Sequence, residues 1–215
     1  DTNLNEEDIN LYFINNKEIN AFVTGGKNIF INTGLITQAD DYREYQAVIA
    51  HELSHIIGGH IFNTSAELQN LSNKALPVYL LGIIGIFAGS ADTAITSIML
   101  GQASVQDGFT YYSRNQEASA DQAAINLMCS NNIDASYLMG FLEKLDRKTL
   151  DSVSNENYYR STHPPIDSRK EWINISLKNK ECEFENTQLL QEKFNLLKSK
   201  LFAFTHSKQE VKAIY

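Results

Sequence analysis

"VIAHELSHIIGGH", Val48–His60, sets three histidines and one glutamate among residues that otherwise read as a buried helix. Imidazoles and carboxylates are costly to desolvate, so such a run needs a reason. A helix turns about 100° per residue, which leaves His51 and His55 about 40° apart and one turn along the axis. Both rings can therefore reach a single ion. Glu52 stands beside the first of them. This is the HExxH spacing, in which two histidines hold zinc and the glutamate takes a proton from the water that the metal activates. The plainer reading is two histidines on a half-buried face, satisfied by backbone or water, with Glu52 solvated.

A catalytic zinc usually keeps three protein ligands and one open position, so a third ligand must be found. His60 is at offset nine from His51, one short of the metzincin spacing, and on a continuing helix it points about 140° from His55. It is therefore expected to be a structural histidine and not a ligand. The better candidate lies in "YYSRNQEASADQAAINLM", where Glu117 and Asp121 are four apart and share a helix face, with Ala118, Ser119 and Ala120 small enough for close helix packing. Glu117 can supply the carboxylate ligand, and Asp121 can accept a hydrogen bond from the far nitrogen of a ligand histidine. The competing reading is a solvated acidic pair neutralised by Arg114.

Composition bounds the rest. With 215 residues, 43% hydrophobic and 20% charged, the chain is long enough for one substantial core or two small ones. A formal net charge of −8 argues against nucleic acid as a partner, which demands clustered Lys and Arg. The two cysteines, Cys129 and Cys182, are too few for a disulfide scaffold; a single bridge and two free thiols both stay open, and with them the redox compartment. The opening "DTNLNEEDIN" is no signal peptide, which leaves a cytosolic protein or one whose leader is removed. The most apolar run, Ala75–Gly89, is shorter than the roughly 20 residues a bilayer span needs and is interrupted by Pro77 and glycines. It is read as a buried or surface-seeking helix, able to touch a membrane surface or an apolar substrate.

The period of the pattern changes along the chain. Residues 9–15, 18–24 and 28–33 are short, rich in β-branched and aromatic side chains, and separated by "NK" and "GGK" turn signals, which predicts a small antiparallel sheet. From Asp40 onward apolar positions recur at three and four. Asp40 or Asp41 is expected to cap the HExxH helix, and further helices are predicted over residues 65–72, 75–88, 91–106, 114–130, 134–148, 166–177 and 187–202. The fold class is thus α+β and mostly helical.

HExxH followed by ExxxD, preceded by "NAFVTGGKNIFINTGLI" and followed by "THPPIDSR", resembles the BepA-like soluble periplasmic zinc metallopeptidases, whose membrane-embedded relatives are HtpX and the CAAX prenyl endoproteases. The resemblance covers Asn20 to Arg169. It implies a zincin-like fold, with a small antiparallel sheet ahead of a helical metallopeptidase core, and one zinc held by His51, His55 and Glu117. It further implies Glu52 as general base, Asp121 as the carboxylate behind a ligand, and Asn20, Ala21 and Phe22 as the strand on which extended substrate adds. His163 and Arg169 match a histidine and an arginine that in relatives lie near the metal. They either stabilise the oxyanion or, for the histidine, fill the open zinc position and switch the enzyme off. Residues 1–180 are expected to be the peptidase domain and 181–215 a C-terminal helical extension, the start of a tetratricopeptide-repeat region.

The expected function is a zinc endopeptidase that degrades unfolded or misassembled proteins in the bacterial cell envelope. Its expected location is the periplasm, with outer-membrane assembly machinery as a partner. Two alternatives remain at this stage: a zinc-stabilised chaperone or assembly factor that holds clients through Ala75–Gly89, and a metal-dependent hydrolase of small peptides or lipid-linked substrates.

Overall fold

The computed structural model describes residues 8–24, 27–60, 114–151, 163, 166–180, 182–184 and 188–214. The helices predicted over 65–72, 75–88 and 91–106, and with them the apolar run Ala75–Gly89, lie outside the described residues. The chain divides into two compact units, one of Asp1–Gly58 with Glu117–Tyr215 and one of Gly59–Gln116. In the second, His60 is buried and its carbonyl accepts a hydrogen bond from Gln116 Nε2 at 2.8 Å. The first unit carries everything that follows.

Three strands lie within the short stretches rich in β-branched and aromatic residues: β1 (Asn10–Ile14), β2 (Ala21–Thr24) and β3 (Asn28–Asn32). Their pairing corrects the expectation of an antiparallel sheet. The order is β1-β3-β2, with β1 parallel to β3 and only β2 antiparallel to it, so the sheet is mixed. The "NK" segment is not a hairpin turn. Residues 15–20 carry the chain across the end of β3, from one flank of that strand to the other. There the Asn16 carbonyl accepts from Gly34 N at 2.8 Å and from Thr33 Oγ1 at 3.0 Å, while Asn16 Oδ1 accepts from Glu18 N at 2.9 Å. A Cβ at Gly34 would collide with the carbonyl oxygens of Lys17 and Glu18, so only glycine lets the crossing segment pass this close.

A short helix that the pattern did not predict, α1 (Thr33–Gln38), follows β3 directly; five of its six residues are buried. Thr33, Ile36 and Thr37 are β-branched and the cap residue Asn32 makes no side-chain cap bond, so packing and not propensity holds it. The HExxH helix is α2 (Tyr42–Ile57). Of the two candidate caps it uses Asp41, whose carboxylate accepts from Arg43 N at 2.8 Å. The helix stops at Ile57 and Gly59 takes φ 62°, a left-handed turn that suits glycine. The helix thus does not continue to His60.

Residues 114–130 are helical (α3), followed by α4 (Ser136–Asp151), α5 (Ile166–Lys178), α6 (Gln188–Thr205) and α7 (Lys208–Ile214). Asp134 accepts from Ser136 N at 2.9 Å at the start of α4. The unpredicted α7 carries a capping box, with Glu210 Oε2 accepting from Ser207 N at 2.7 Å and Ser207 Oγ from Glu210 N at 3.3 Å. The S-x-x-E spacing of "SKQE" was the available signal.

The core joins Ile29 and Ile31 of β3 to Leu35, Ala47, Ile125, Met128, Leu138, Leu142, Ile166 and Ile173. Each large aliphatic chain buried there contributes about 1.5–3 kcal/mol. β2 and α4 both pack against α2, so the histidine helix is held from the sheet and from the helical side. α6 braces its start: Gln191 Oε1 accepts from Tyr42 N at 3.0 Å, Lys198 Nζ donates to the Ala39 carbonyl at 2.6 Å, and Phe194 is buried against Tyr45. Cys129 and Cys182 form a disulfide, which resolves the pairing the sequence left open and ties the segment after α5 to α3.

Candidate metal centre

Helical spacing and burial assemble the site from three helices and one loop residue. α2 contributes His51, Glu52 and His55, α3 contributes Glu117 and Asp121, α5 contributes Arg169, and His163 precedes α5; all seven are buried. His51 Nε2 lies 3.0 Å from His55 Nε2 and 3.4 Å from Glu117 Oε2, and His55 Nε2 lies 3.2 Å from Glu117 Oε1. His163 Nδ1 lies 3.0 Å from the same Glu117 Oε1, and its Nε2 lies 3.5 Å from Glu52 Oε1. One potential ligand atom from each of His51, His55, Glu117 and His163 falls within 4.8 Å of the others. His60 is not in that group.

The donor set fits a divalent transition metal. Two imidazole nitrogens 3.0 Å apart cannot both present lone pairs to each other unless a proton or a cation lies between them. Mixed imidazole and carboxylate ligands at this separation are those that borderline metals take. Among the described residues both oxygens of the fully buried Glu52 accept no hydrogen bond, an expensive arrangement unless the site serves a further group.

Behind these nitrogens the structure adds an outer layer. His51 Nδ1 stands 3.0 Å from Asp121 Oδ1. Arg169 closes on Asp121 in a bidentate pair, Nε to Oδ2 at 2.9 Å and Nη2 to Oδ1 at 2.6 Å, and its Nη1 lies 3.2 Å from Glu117 Oε2. Burial and the nearby Arg169 work against protonation of His51, yet Asp121 and Glu117 outweigh them and hold it up at about 9. Burial pulls His55 down to about 4 and pushes Glu52 upward. Burial also opposes ionisation of Glu117 and Asp121, but His163 and the other imidazoles hold Glu117 well below its usual range, and Arg169 with His51 holds Asp121 down.

The structure therefore brings together His51, Glu52, His55, Glu117, Asp121, His163 and Arg169, which the sequence named from separate stretches. Asn20, Ala21 and Phe22 lie on the sheet instead. Asn20 and Ala21 are fully buried, Phe22 stacks on Phe30 at 5.2 Å, and β2 has no partner strand on its outer side among the described residues. What sequence reasoning missed is the engagement of Arg169 with Asp121, for which a separation of 48 residues left no local signal.

The sequence model of Peptidase family M48 matches residues 1–174. The chain belongs to that family. The M48 chain is 29% identical over 161 residues to the beta-barrel assembly-enhancing protease of Yersinia pestis, covering 74% of this chain and 32% of that protein. It is 30% identical over 159 residues to the protein of the same name from Escherichia coli strain K12, again covering 74% and 32%. With the mitochondrial metalloendopeptidase OMA1 of Bos taurus it shares 26% identity over 173 residues, 76% of this chain and 31% of the relative. It thus spans about a third of the length of these relatives. By family, the M48 chain is a metalloprotease.

Proposed function

We propose that this chain is the catalytic part of a zinc-dependent endopeptidase that degrades unfolded or misassembled proteins in the bacterial cell envelope. The observation that carries the reading is the convergence of His51, His55 and Glu117 beside a buried Glu52 with two unsatisfied oxygens. In this reading His51, His55 and Glu117 hold the ion. Zinc bound there would supply a Lewis acid able to polarise a peptide carbonyl and to make water acidic enough to lose a proton near neutral pH. Glu52 takes that proton and passes it to the departing amine; burial raises its basicity toward the range a general base needs. His163 is a fourth donor within reach of the ligand group, and it contends for the position that water must occupy. Extended substrate adds along β2 at Asn20–Phe22, which packs against α2.

Residues 1–180 form the peptidase domain in this reading, with 181–215 as its helical extension. Periplasmic location is supported by the Cys129–Cys182 disulfide, since such bridges persist in oxidising compartments. No helix among the described residues is long and apolar enough to cross a membrane. Association with outer-membrane assembly machinery rests on the names of the bacterial relatives.

The test is cleavage of a loosely folded protein such as casein by the zinc-loaded chain, beside Glu52→Gln with metal content measured in both. Cleavage by the wild type alone, with one zinc in each, is the expected result. Full zinc occupancy without cleavage by either protein sinks the endopeptidase reading.

A further inference from the structure

The geometry points to Arg169 as a positioning residue of the metal centre, one that fixes Asp121 and Glu117 from behind the ligands and does not meet the substrate. The inference rests on the metallopeptidase reading and departs from an oxyanion role for this residue. The decisive relation is directional. His51 turns Nε2 toward His55 and Glu117, whereas Asp121 lies on the opposite ring nitrogen, Nδ1, and Arg169 Nη2 is 3.4 Å from that same nitrogen. The guanidinium thus stands at the rear of the ring. All three of its nitrogens face carboxylates, two on Asp121 and one on Glu117, in the bidentate geometry that arginine forms and lysine cannot.

Its backbone gives it little freedom to turn elsewhere. Arg169, Ile173, Ser176 and Lys180 follow one another at three- and four-residue steps, and their partners run in the same order along α3. Arg169 meets Asp121, Ser176 Oγ donates to Gln122 Oε1 at 2.6 Å, Lys180 Nζ donates to Asn126 Oδ1, and Cys182 is bonded to Cys129. On the other side, Lys170 Nζ pairs with Asp146 Oδ2 at 2.6 Å. α5 is thereby aligned along α3 with Arg169 at its inner end. The need for such a cation is plain, because Glu117 and Asp121 are two buried carboxylates one helical turn apart.

The experiment is a chelator-competition titration of zinc into wild type, Arg169→Lys, Arg169→Met, Asp121→Asn and the double variant Asp121→Asn with Arg169→Met, with visible spectra of the cobalt-loaded forms. A positioning role predicts that Arg169→Met weakens metal binding about 10–100-fold, as loss of groups behind the ligands does. Arg169→Lys should recover only part, and the Arg169→Met cobalt spectrum should shift as the Asp121→Asn spectrum does. The double variant should bind no more weakly than the worse single one. At saturating metal, kcat should fall with KM unchanged.

Metal affinity and cobalt spectrum equal to wild type, with kcat lost at full occupancy, would assign Arg169 to the oxyanion and overturn the proposal. Tighter binding by Arg169→Met overturns it too, since that is the result if the guanidinium merely repels the ion. If Arg169→Met does not fold, because Asp121 is left buried without its guanidinium partner, Arg169→Lys and the charge-neutral double variant decide by the same criteria. A wild-type chain that binds no zinc sinks the metallopeptidase reading as well, and the first titration alone distinguishes that case.

Discussion

His51 Nδ1 lies 3.0 Å from Asp121 Oδ1, a buried pairing in which the carboxylate favours a protonated ring. Ligation requires the other nitrogen of that ring to be free of a proton. Because His51 is held up at about 9 in the metal-free site, zinc affinity should rise with pH, by up to tenfold per unit, until about pH 9. Competition titrations between pH 6 and 9, with proton release followed in weak buffer, check this; affinity flat across the range refutes it. The sign for stability is opposite. A raised histidine stabilises the metal-free protein fully below its unfolded value near 6.5 and loses that contribution as pH rises through about 9.

His163 places Nδ1 3.0 Å from Glu117 and Nε2 3.5 Å from Glu52, within the group able to hold the ion. If it contends for the open position, His163→Ala should raise kcat without lowering zinc content. The gain reaches about tenfold for a site that is open one-tenth of the time. A fall in kcat at unchanged zinc content would instead assign His163 to stabilising the transition state.

Gly34 sits where a Cβ would strike the backbone of Lys17 and Glu18. Gly34→Ala should therefore destabilise by about 1–3 kcal/mol or more, because the crossing segment is held by two bonds to Asn16 and cannot retreat freely. Denaturant unfolding measures it. Stability within a few tenths of a kcal/mol of wild type contradicts the collision.

Cys129 and Cys182 are 53 residues apart in sequence. Replacing both by serine should lower stability by about 2–4 kcal/mol, since the open chain regains the entropy that the closed loop denies it. A dithiol should destabilise the wild type and leave the double variant unmoved.

Phe194 tests whether α6 belongs to the core that holds α2. Buried at 7% exposure, it should cost about 3–5 kcal/mol on replacement by alanine, read from the same unfolding curves. A change below about 1 kcal/mol would mean that α6 only leans on the surface.

The features legible in the sequence are those whose physics is local. HExxH and ExxxD can be read because a helix repeats its face at four residues, so His51 and His55, or Glu117 and Asp121, share a side wherever the helix lies. The cap of the HExxH helix was narrowed to Asp40 or Asp41, and Asp41 makes it by a bond to an amide two residues on. The three strands showed in their β-branched and aromatic content between turn residues, and in β3 the burial alternates, Ile29 and Ile31 inside against partly exposed Phe30.

Only the tertiary structure decided how those pieces meet. Alternation says which face a strand buries but not which neighbour it takes, so β1 pairing parallel to β3 was invisible until the chain was seen to cross at Asn16–Glu18. α1 has weak intrinsic helicity and exists because its surroundings bury it. The disulfide and the grip of Arg169 on Asp121 are contacts across 53 and 48 residues, set by the alignment of α5 on α3. The sequence by itself determined which residues can hold a metal, and the packing of helices determined that they face one another, because ligand geometry is short-ranged and chain connectivity is not.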